Sequence, residues 1–435
     1  LIRSLFYLIL PDWDLGAKWI CATGSETYAI CKADLLLKGE GDAADNIVGG
    51  PEYSTLSNDA FPGRTFDFML SNPPYGKSWK NDLERMGGKK GIKDPRFVVQ
   101  HNGEELSLVT RSNDGQMMFL ANLVSKMKQD TPLGSRIAEV HNGSSLFTGD
   151  AGSGESNIRR YIIENDWLEA IVALPLNIFY NTGIATYIWV LSNRKPAHRK
   201  GRVQLIDATQ WYRPLRKNLG KKNCELSSED IERIVQTFLA FEETEQSKIF
   251  PNAAFGYWKV TVERPLRIKG INPERAYTPA EIKRLKEEGE RSKDAPPVIK
   301  KIHRPGTPPD PLRGLFEVSI GGRQRVVEYE PDPELRDTEQ IPFLECPACH
   351  EPGYLPSPAD RDAAIESFLR REVLPYAPNA WYNPSSIKIG YEINFNRYFY
   401  KPKKLRSLEE IRADLLAVEK ETQGLLQEIL GGDGL

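Results

Sequence analysis

The sequence predicts an open α/β sheet, and three observations carry that prediction. Helical and strand-like patterns alternate between residues 27 and 210. The apolar run "FDFMLSN" breaks off at two consecutive prolines, as a buried strand does where it leaves a sheet. The apolar runs "LEAIVALP" and "ATYIWVLSN" are separated by only about ten residues, too few for a crossover helix, so these two strands pair antiparallel.

In chain order, "TYAICKADLLLKG" reads as a helix ending at Gly39, and "FDFMLSN" as a buried strand. "GQMMFLANLVSKMK" is a second helix, "SRIAEVHN" a strand, "ESNIRRYIIEND" a third helix, and the antiparallel pair follows. "GRVQLIDAT" adds an edge strand. From about Leu226 the pattern turns helical, opening with the cap-like "SSED" before "IERIVQTFLAFEE". Residues 281–314 are rich in charge and proline and predict an exposed connector. In the carboxy-terminal stretch Leu408, Ile411, Leu415, Val418, Thr422, Leu425 and Ile429 follow 3,4 spacing behind a Ser407/Glu410 capping box. That seam suits a helix packed on its own chain or one that docks a partner.

A chain of 435 residues predicts two or three domains. Its hydrophobic fraction of 40% and charged fraction of 27% describe a globular protein. A net charge of −2 excludes nucleic-acid binding by bulk charge, so any such contact must come from local patches. Five cysteines, sparse and odd in number, fit a reducing cytoplasm rather than a disulfide framework. The opening "LIRSLFYLIL" is too short to span a bilayer and lacks a cleavage site, so no membrane association is expected. The initial Leu suggests that the true start lies upstream.

The chemistry concentrates at Asn72, Pro73, Pro74 and Tyr75. Ligands of open α/β sheets bind beyond the carboxyl ends of the strands, where Asn72 falls. An exocyclic amino group is a poor nucleophile because its lone pair is delocalised into the ring. Asn72 Oδ1 and the Pro73 carbonyl, each accepting one of its N–H bonds, would draw the nitrogen toward tetrahedral geometry. The prolines keep both acceptors preorganised, and Tyr75 would stack on the ring.

This tetrad is similar to the Asn-Pro-Pro-Tyr signature of amino-group methyltransferases that act on DNA, RNA or protein. Taken with "ETYAICKADLLLKG", "STLSNDAFPGRTFDFMLSNPPYG", "LPLNIFYNTGIATYIWVLSN" and "KIGYEINFNRYFYKP", it resembles the modification subunit of type I restriction-modification systems, from about Glu26 to Glu243 and again from about Asp337 to Leu430. The resemblance implies a class I S-adenosylmethionine-dependent methyltransferase-like open sheet, incomplete at its amino terminus, with a helical carboxy-terminal region. It implies methylation of adenine N6 in double-stranded DNA, S-adenosylmethionine as cofactor, and a specificity subunit and a restriction subunit as partners in the cytoplasm. The residues it marks are Asn72, Pro73, Pro74 and Tyr75, the aromatic pair Phe179 and Tyr180 (Phe179 preferred) against the extruded adenine, and Ser54, Thr55 and Leu56, with Asn72, at the cofactor. The implied division is 1–24 unplaced, 25–222 catalytic, 223–280 helical, 281–336 connector with short strands, and 337–435 ending in a partner-binding helix. The chain departs from the family in lacking the glycine-rich loop Asp-Pro-x-x-Gly-x-Gly-Gly, which predicts an amino-terminally truncated or frame-shifted chain. Two alternatives stand beside this reading: a remnant or assembly subunit without cofactor binding, and a methyltransferase for RNA or protein.

Other signals carry less. "GDAGSGES" has the spacing of a phosphate-binding loop but places Glu155 where lysine is needed, and reads as a flexible loop before a helix. "CPACH" is half of a zinc site without a second pair of ligands, so no metal is expected and a solvent-exposed insertion is the simpler reading. Basic residues cluster in "NRKPAHRKGR" and "RPLRKNLGKK", and Lys77, Lys80, Lys89 and Lys90 follow the motif, placed to meet a DNA strand.

Overall fold

The computed structural model describes residues 20–23, 25–37, 47–50, 53–180, 182–400 and 407–430. The segment 1–24, which the sequence leaves unplaced, falls outside them except for one short strand at residues 20–23. Two compact units are present, residues 1–395 and 396–435.

The first unit opens with β1 (Ile20–Thr23), α1 (Ser25–Leu37) and β2 (Ile47–Gly50), the strands pairing in parallel. β3 (Phe68–Ser71), α2 (Lys80–Arg85), the small hairpin β4 (Val98–His101) and β5 (Glu104–Ser107), α3 (Gln116–Ser125), β6 (Arg136–Asn142), α4 (Gly154–Glu164), β7 (Leu168–Ala173), β8 (Thr186–Ser192) and β9 (Arg202–Asp207) follow. Next come a second hairpin, β10 (Arg213–Leu219) and β11 (Lys222–Glu225), then α5 (Ser228–Ala240) and β12 (Ser247–Pro251).

The main sheet has the order β12-β9-β7-β8-β6-β3. β3 runs parallel to β6 and β7 parallel to β9, while β8 is inserted antiparallel between β6 and β7. Every residue of β7 and β8 is buried. That explains their unbroken apolar sequences, since a strand covered on both faces has no polar alternation. α5 packs Ile234, Val235 and Phe238 into this core. Its amino terminus is closed by the predicted box: Ser227 Oγ accepts from Asp230 N at 3.1 Å, and the Asp230 carboxylate accepts from Ser227 N at 2.8 Å. The expectation of an edge strand at "GRVQLIDAT" is corrected, because β12 pairs outside β9 and takes the edge.

Beyond this sheet the sequence reading was too helical. Residues 223–280 also contain β12 and the long β13 (Gly256–Glu263). The presumed connector 281–314 is folded: α6 (Pro279–Glu288) leads into β14 (Ile299–Ile302), which pairs with β16 (Arg323–Tyr329), itself paired with β15 (Leu315–Ile320). Ile282 and Val298 from this segment close a core with Leu266, Ile268 and Tyr277. Thr278 caps this short helix with Pro279 in its first turn, and Ile282 is its one buried residue among charged neighbours.

β13 is the spine of a second antiparallel sheet, with β17 (Asp337–Pro342) along one side and β18 (Trp381–Tyr382) and β19 (Lys388–Tyr391) on the other, after α7 (Pro358–Phe368). Arg159 of α4 is fully buried and donates to the carbonyls of Tyr391, Ser145 and Thr148 at 2.6–2.8 Å. Burial pulls its pKa down to about 10. With Ser156 Oγ, which accepts from Tyr391 N at 3.0 Å, this side chain fastens β19 to α4.

Cys346 and Cys349 are buried, correcting the exposed insertion expected of "CPACH". Burial and the neighbouring Cys346 thiol push the Cys349 thiol up to about 12, which disfavours the thiolate a metal would need. Among the described residues no cluster of His, Cys, Asp or Glu is arranged to hold a metal, and no helix is long and apolar enough to cross a membrane.

In the second unit, α8 (Leu408–Leu430) carries the predicted capping box: Ser407 N donates to Glu410 at 2.8 Å and Glu410 N to Ser407 Oγ at 3.1 Å. Leu408, Ile411, Leu415 and Val418 of the seam are exposed.

Candidate active site

β3 ends at Ser71, opposite Glu139 of β6, and the chain leaves the sheet at Asn72. Asn72 and Pro74 are exposed, Pro73 is buried and Tyr75 is half-buried. The Tyr75 ring packs on the cluster formed by Ala138, Val140, Val172 and Ile188. Its hydroxyl donates to Asn72 Oδ1 at 2.6 Å. Burial raises the phenol's pKa above its ordinary value, so it stays a donor at neutral pH. Among the described residues no donor reaches the Pro73 carbonyl, which leaves the second acceptor open.

The chain after the tetrad is clamped by residues 111–116. Gly76, at φ +64°, donates its N–H to Asp114 Oδ1 at 3.2 Å. Trp79 donates its backbone N–H to Ser112 O at 2.9 Å and its indole N–H to Arg111 O at 2.8 Å. Gly115 donates back to Lys77 O at 3.2 Å. A Cβ on Gly115 would stand 3.1 Å from the Trp79 ring, a tight contact that the ring would have to yield to by a few tenths of an ångström. Glu155 Oε1 in turn accepts from the Arg111 backbone and guanidinium at 3.1 and 3.0 Å. The loop before α4 is thus a packed turn, not a flexible one: a Cβ on Gly154 would lie 2.0 Å from the Val109 carbonyl oxygen. Glu155, wrong in sign for a phosphate loop, is right for holding Arg111.

A buried polar chain backs this clamp. Asp114 Oδ2 accepts from Gln116 Nε2 at 2.7 Å, Gln116 Oε1 lies 3.3 Å from His141 Nδ1, and His141 Nε2 lies 3.0 Å from Glu139 Oε2. The sequence reading missed Asp114, Gln116, Trp79 and Glu155. The signal for one of them was present, since "SNDGQ" places an Asp just before a helical run.

Phe179 and Tyr180 lie between β7 and β8. Phe179 is half-buried on the same apolar cluster as Tyr75, whereas Tyr180 is exposed with the Lys222 ammonium 5.3 Å from its ring centre. The arrangement brings Phe179, not Tyr180, to the core beneath the motif.

Ser54, Thr55 and Leu56 form a turn whose oxygens are engaged internally. Ser54 Oγ donates to Asp82 Oδ1 at 2.6 Å, as does Ser57 Oγ. Arg96 donates to the carbonyls of Thr55 and Leu56 at 2.8 and 2.7 Å and pairs with Asp94 at 2.7 Å. Ser54 and Leu56 are buried. The Ser54 hydroxyl and the Thr55 and Leu56 carbonyls are thus engaged within the protein, while Asn72 is exposed.

Of the basic residues, Lys77, Lys80, Lys89 and Lys90 are exposed. In "NRKPAHRKGR", Lys195 and Arg199 are instead buried, the first paired with Asp166 at 2.6 Å and the second lying over the Phe238 and Phe241 rings at 4.0 and 4.3 Å.

The chain is 29% identical over 278 residues to the type I restriction enzyme MjaIX methylase subunit of Methanocaldococcus jannaschii, covering 61% of this chain and 44% of that one. It is 27% identical over 221 residues to the MpnII methylase subunit of Mycoplasma pneumoniae, covering 49% and 36%. The chain spans less than half the length of these relatives. A crystal structure of the type I restriction-modification methyltransferase subunit from Streptococcus thermophilus superposes with a TM-score of 0.42 at 21% identity, over 57% of this chain and 54% of that one. Residues 22–256, which hold the tetrad, its clamp and the aromatic loop, match the family described as N-6 DNA Methylase, and the chain belongs to that family.

Proposed function

We propose that this chain is the modification subunit of a type I restriction-modification system and methylates adenine N6 in double-stranded DNA. The observation that carries the reading is the pair of acceptors at the end of β3: Asn72 Oδ1, exposed, and the Pro73 carbonyl, held by a buried proline ring. Extrusion of the adenine brings its amino group to these two atoms and releases the Tyr75 hydroxyl from Asn72. The two acceptors orient the nitrogen lone pair away from the ring plane, and the Tyr75 and Phe179 rings hold the base. Tyr180 flanks the entrance. S-adenosylmethionine supplies the methyl group when bound. Asn72 is assigned to both its reactive end and the base, and residues 54–56 give backbone surface to the cofactor pocket rather than oxygen ligands.

The exposed lysines after the motif would meet the DNA backbone. α8, with its exposed seam, is assigned to a specificity subunit, and a restriction subunit completes the assembly in the cytoplasm. Titration calorimetry with S-adenosylmethionine tests the reading. Saturable binding by the folded chain, with labelled methyl transfer to adenine lost in Asn72→Ala, is the expected result. Methyl transfer that survives Asn72→Ala would refute the catalytic assignment.

A further inference from the structure

Strands β10 and β11 pair only with each other. Six of the seven residues of β10 are exposed, so the hairpin buries little and is not explained by the core. Its cations are Arg213, Arg216, Lys217, Lys221 and Lys222. Arg213 pairs with Glu225 at 2.8 Å, Lys222 lies 5.3 Å from the Tyr180 ring centre, and among the described residues Arg216, Lys217 and Lys221 have no carboxylate partner. In the preceding basic run Lys195 and Arg199 are consumed by Asp166 and by two phenylalanine rings, while Lys200 and Arg202 are exposed.

The hairpin is also fixed in one place. Lys221 N donates to Tyr180 O at 2.9 Å, Asn223 N to Asn177 O at 3.2 Å, and the Cys224 thiol to Leu176 O at 3.1 Å. These three bonds hold it against the loop that carries Phe179 and Tyr180. A set of unpaired cations on an exposed ribbon repels itself in the free protein, and a polyanion relieves that repulsion by exchanging its counterions for the side chains.

We propose that this hairpin is a phosphate-contacting arm that grips the DNA backbone beside the extruded base. The proposal rests on the adenine methyltransferase reading. It assigns Arg216, Lys217, Lys221 and Lys222 to non-specific phosphate contacts, with base identity read elsewhere.

The test is anisotropy of a short labelled DNA duplex titrated with the full chain over a range of salt concentrations. Arg216→Ala/Lys217→Ala/Lys221→Ala is expected to weaken binding and to flatten the plot of log affinity against log salt by about 0.9 for each cation removed. Arg304→Ala/Arg323→Ala/Arg325→Ala, which removes the same number of cations from the β14-β16-β15 sheet and its flank, is expected to leave the slope unchanged. Circular dichroism melting checks that both variants fold, and Lys217→Glu alone gives the same reading should the triple change fail to fold. Duplex binding with an unchanged slope in the hairpin variants overturns the arm and leaves the methyltransferase reading intact. Equal flattening by the second triple variant also overturns it. No duplex binding by the unsubstituted chain overturns both, and preferential binding of single-stranded RNA through the same residues reassigns the hairpin and overturns its role on DNA.

Discussion

The loop after β3 and the loop between β7 and β8 rest on the same apolar cluster, but they are held by opposite means. The first is gripped from within: Asp114, Ser112 and Arg111 take its N–H groups, and Glu155 and Gln116 hold those residues in turn. The second is gripped from outside by an exposed, cationic hairpin with no core of its own. The difference separates two tasks. On the proposed reading, the acceptors to be preorganised for a transition state sit on the loop clamped from within, and the ring that would meet a mobile base sits on the loop tied to an element that itself touches solvent.

Five measurements would break or sharpen that contrast. Asn72→Ala should have the largest effect, a fall in methyl transfer of about 10²–10³-fold, the cost of removing one preorganised hydrogen-bonding group. Because Asn72 is exposed, its melting temperature should not move. Trp79→Ala should act on stability instead, by about 3–5 kcal/mol, since it empties a buried aromatic site and strands the Arg111 carbonyl. A denaturant titration with a loss under 1 kcal/mol would mean the clamp is not part of the core. Asp114→Ala leaves the Gly76 and Gln116 backbone N–H groups without their carboxylate acceptor and removes one of three acceptors of Gln116 Nε2, and should cost about 1–3 kcal/mol, again by denaturant titration.

The turn at residues 54–56 gives a pH test. Burial raises the Asp94 pKa, but hydrogen bonds and charge from Arg96, with Lys126 beyond, outweigh it and hold the carboxyl below its ordinary range. A depressed carboxylate stabilises the fold above its unfolded pKa and loses that contribution as pH falls through the folded value. Melting curves of Asp94→Asn and the unsubstituted chain should therefore differ at neutral pH and converge in acid. Smallest of all, Tyr75→Phe keeps the ring but frees Asn72 Oδ1, and methyl transfer should change by less than about tenfold; a collapse as large as that of Asn72→Ala would make the hydroxyl itself catalytic.

Much of the first sheet was legible because its signals are local. Alternating apolar runs fixed the strands, and the nine residues between "LEAIVALP" and "ATYIWVLSN" dictated the antiparallel insertion of β8. The tetrad was legible because two prolines beside one amide serve few structural ends. The clamp was not, because Gly76 and Asp114 are 38 residues apart and meet only through the fold. The charge-rich 281–314 misled for the opposite reason: Ile282 and Val298 are isolated apolar residues, and only the packed core shows that they belong together. Ser54 was picked by its position after a strand, and the carboxylate that claims its hydroxyl, Asp82, lies on a helix beyond the motif.

The antiparallel insertion of β8 also bears on how the protein is made. β6 and β7 are each complete before β8 leaves the ribosome, yet they meet only through it. Until residue 192 has emerged, each presents an unpaired backbone edge, and the apolar cluster that Tyr75 packs on lacks Ile188 and Val190. A translational pause or stop in that window would leave a nascent chain with Asn72, Pro73, Pro74 and Tyr75 already synthesised, no completed sheet to place them on, and two unpaired strand edges for a chaperone to shield.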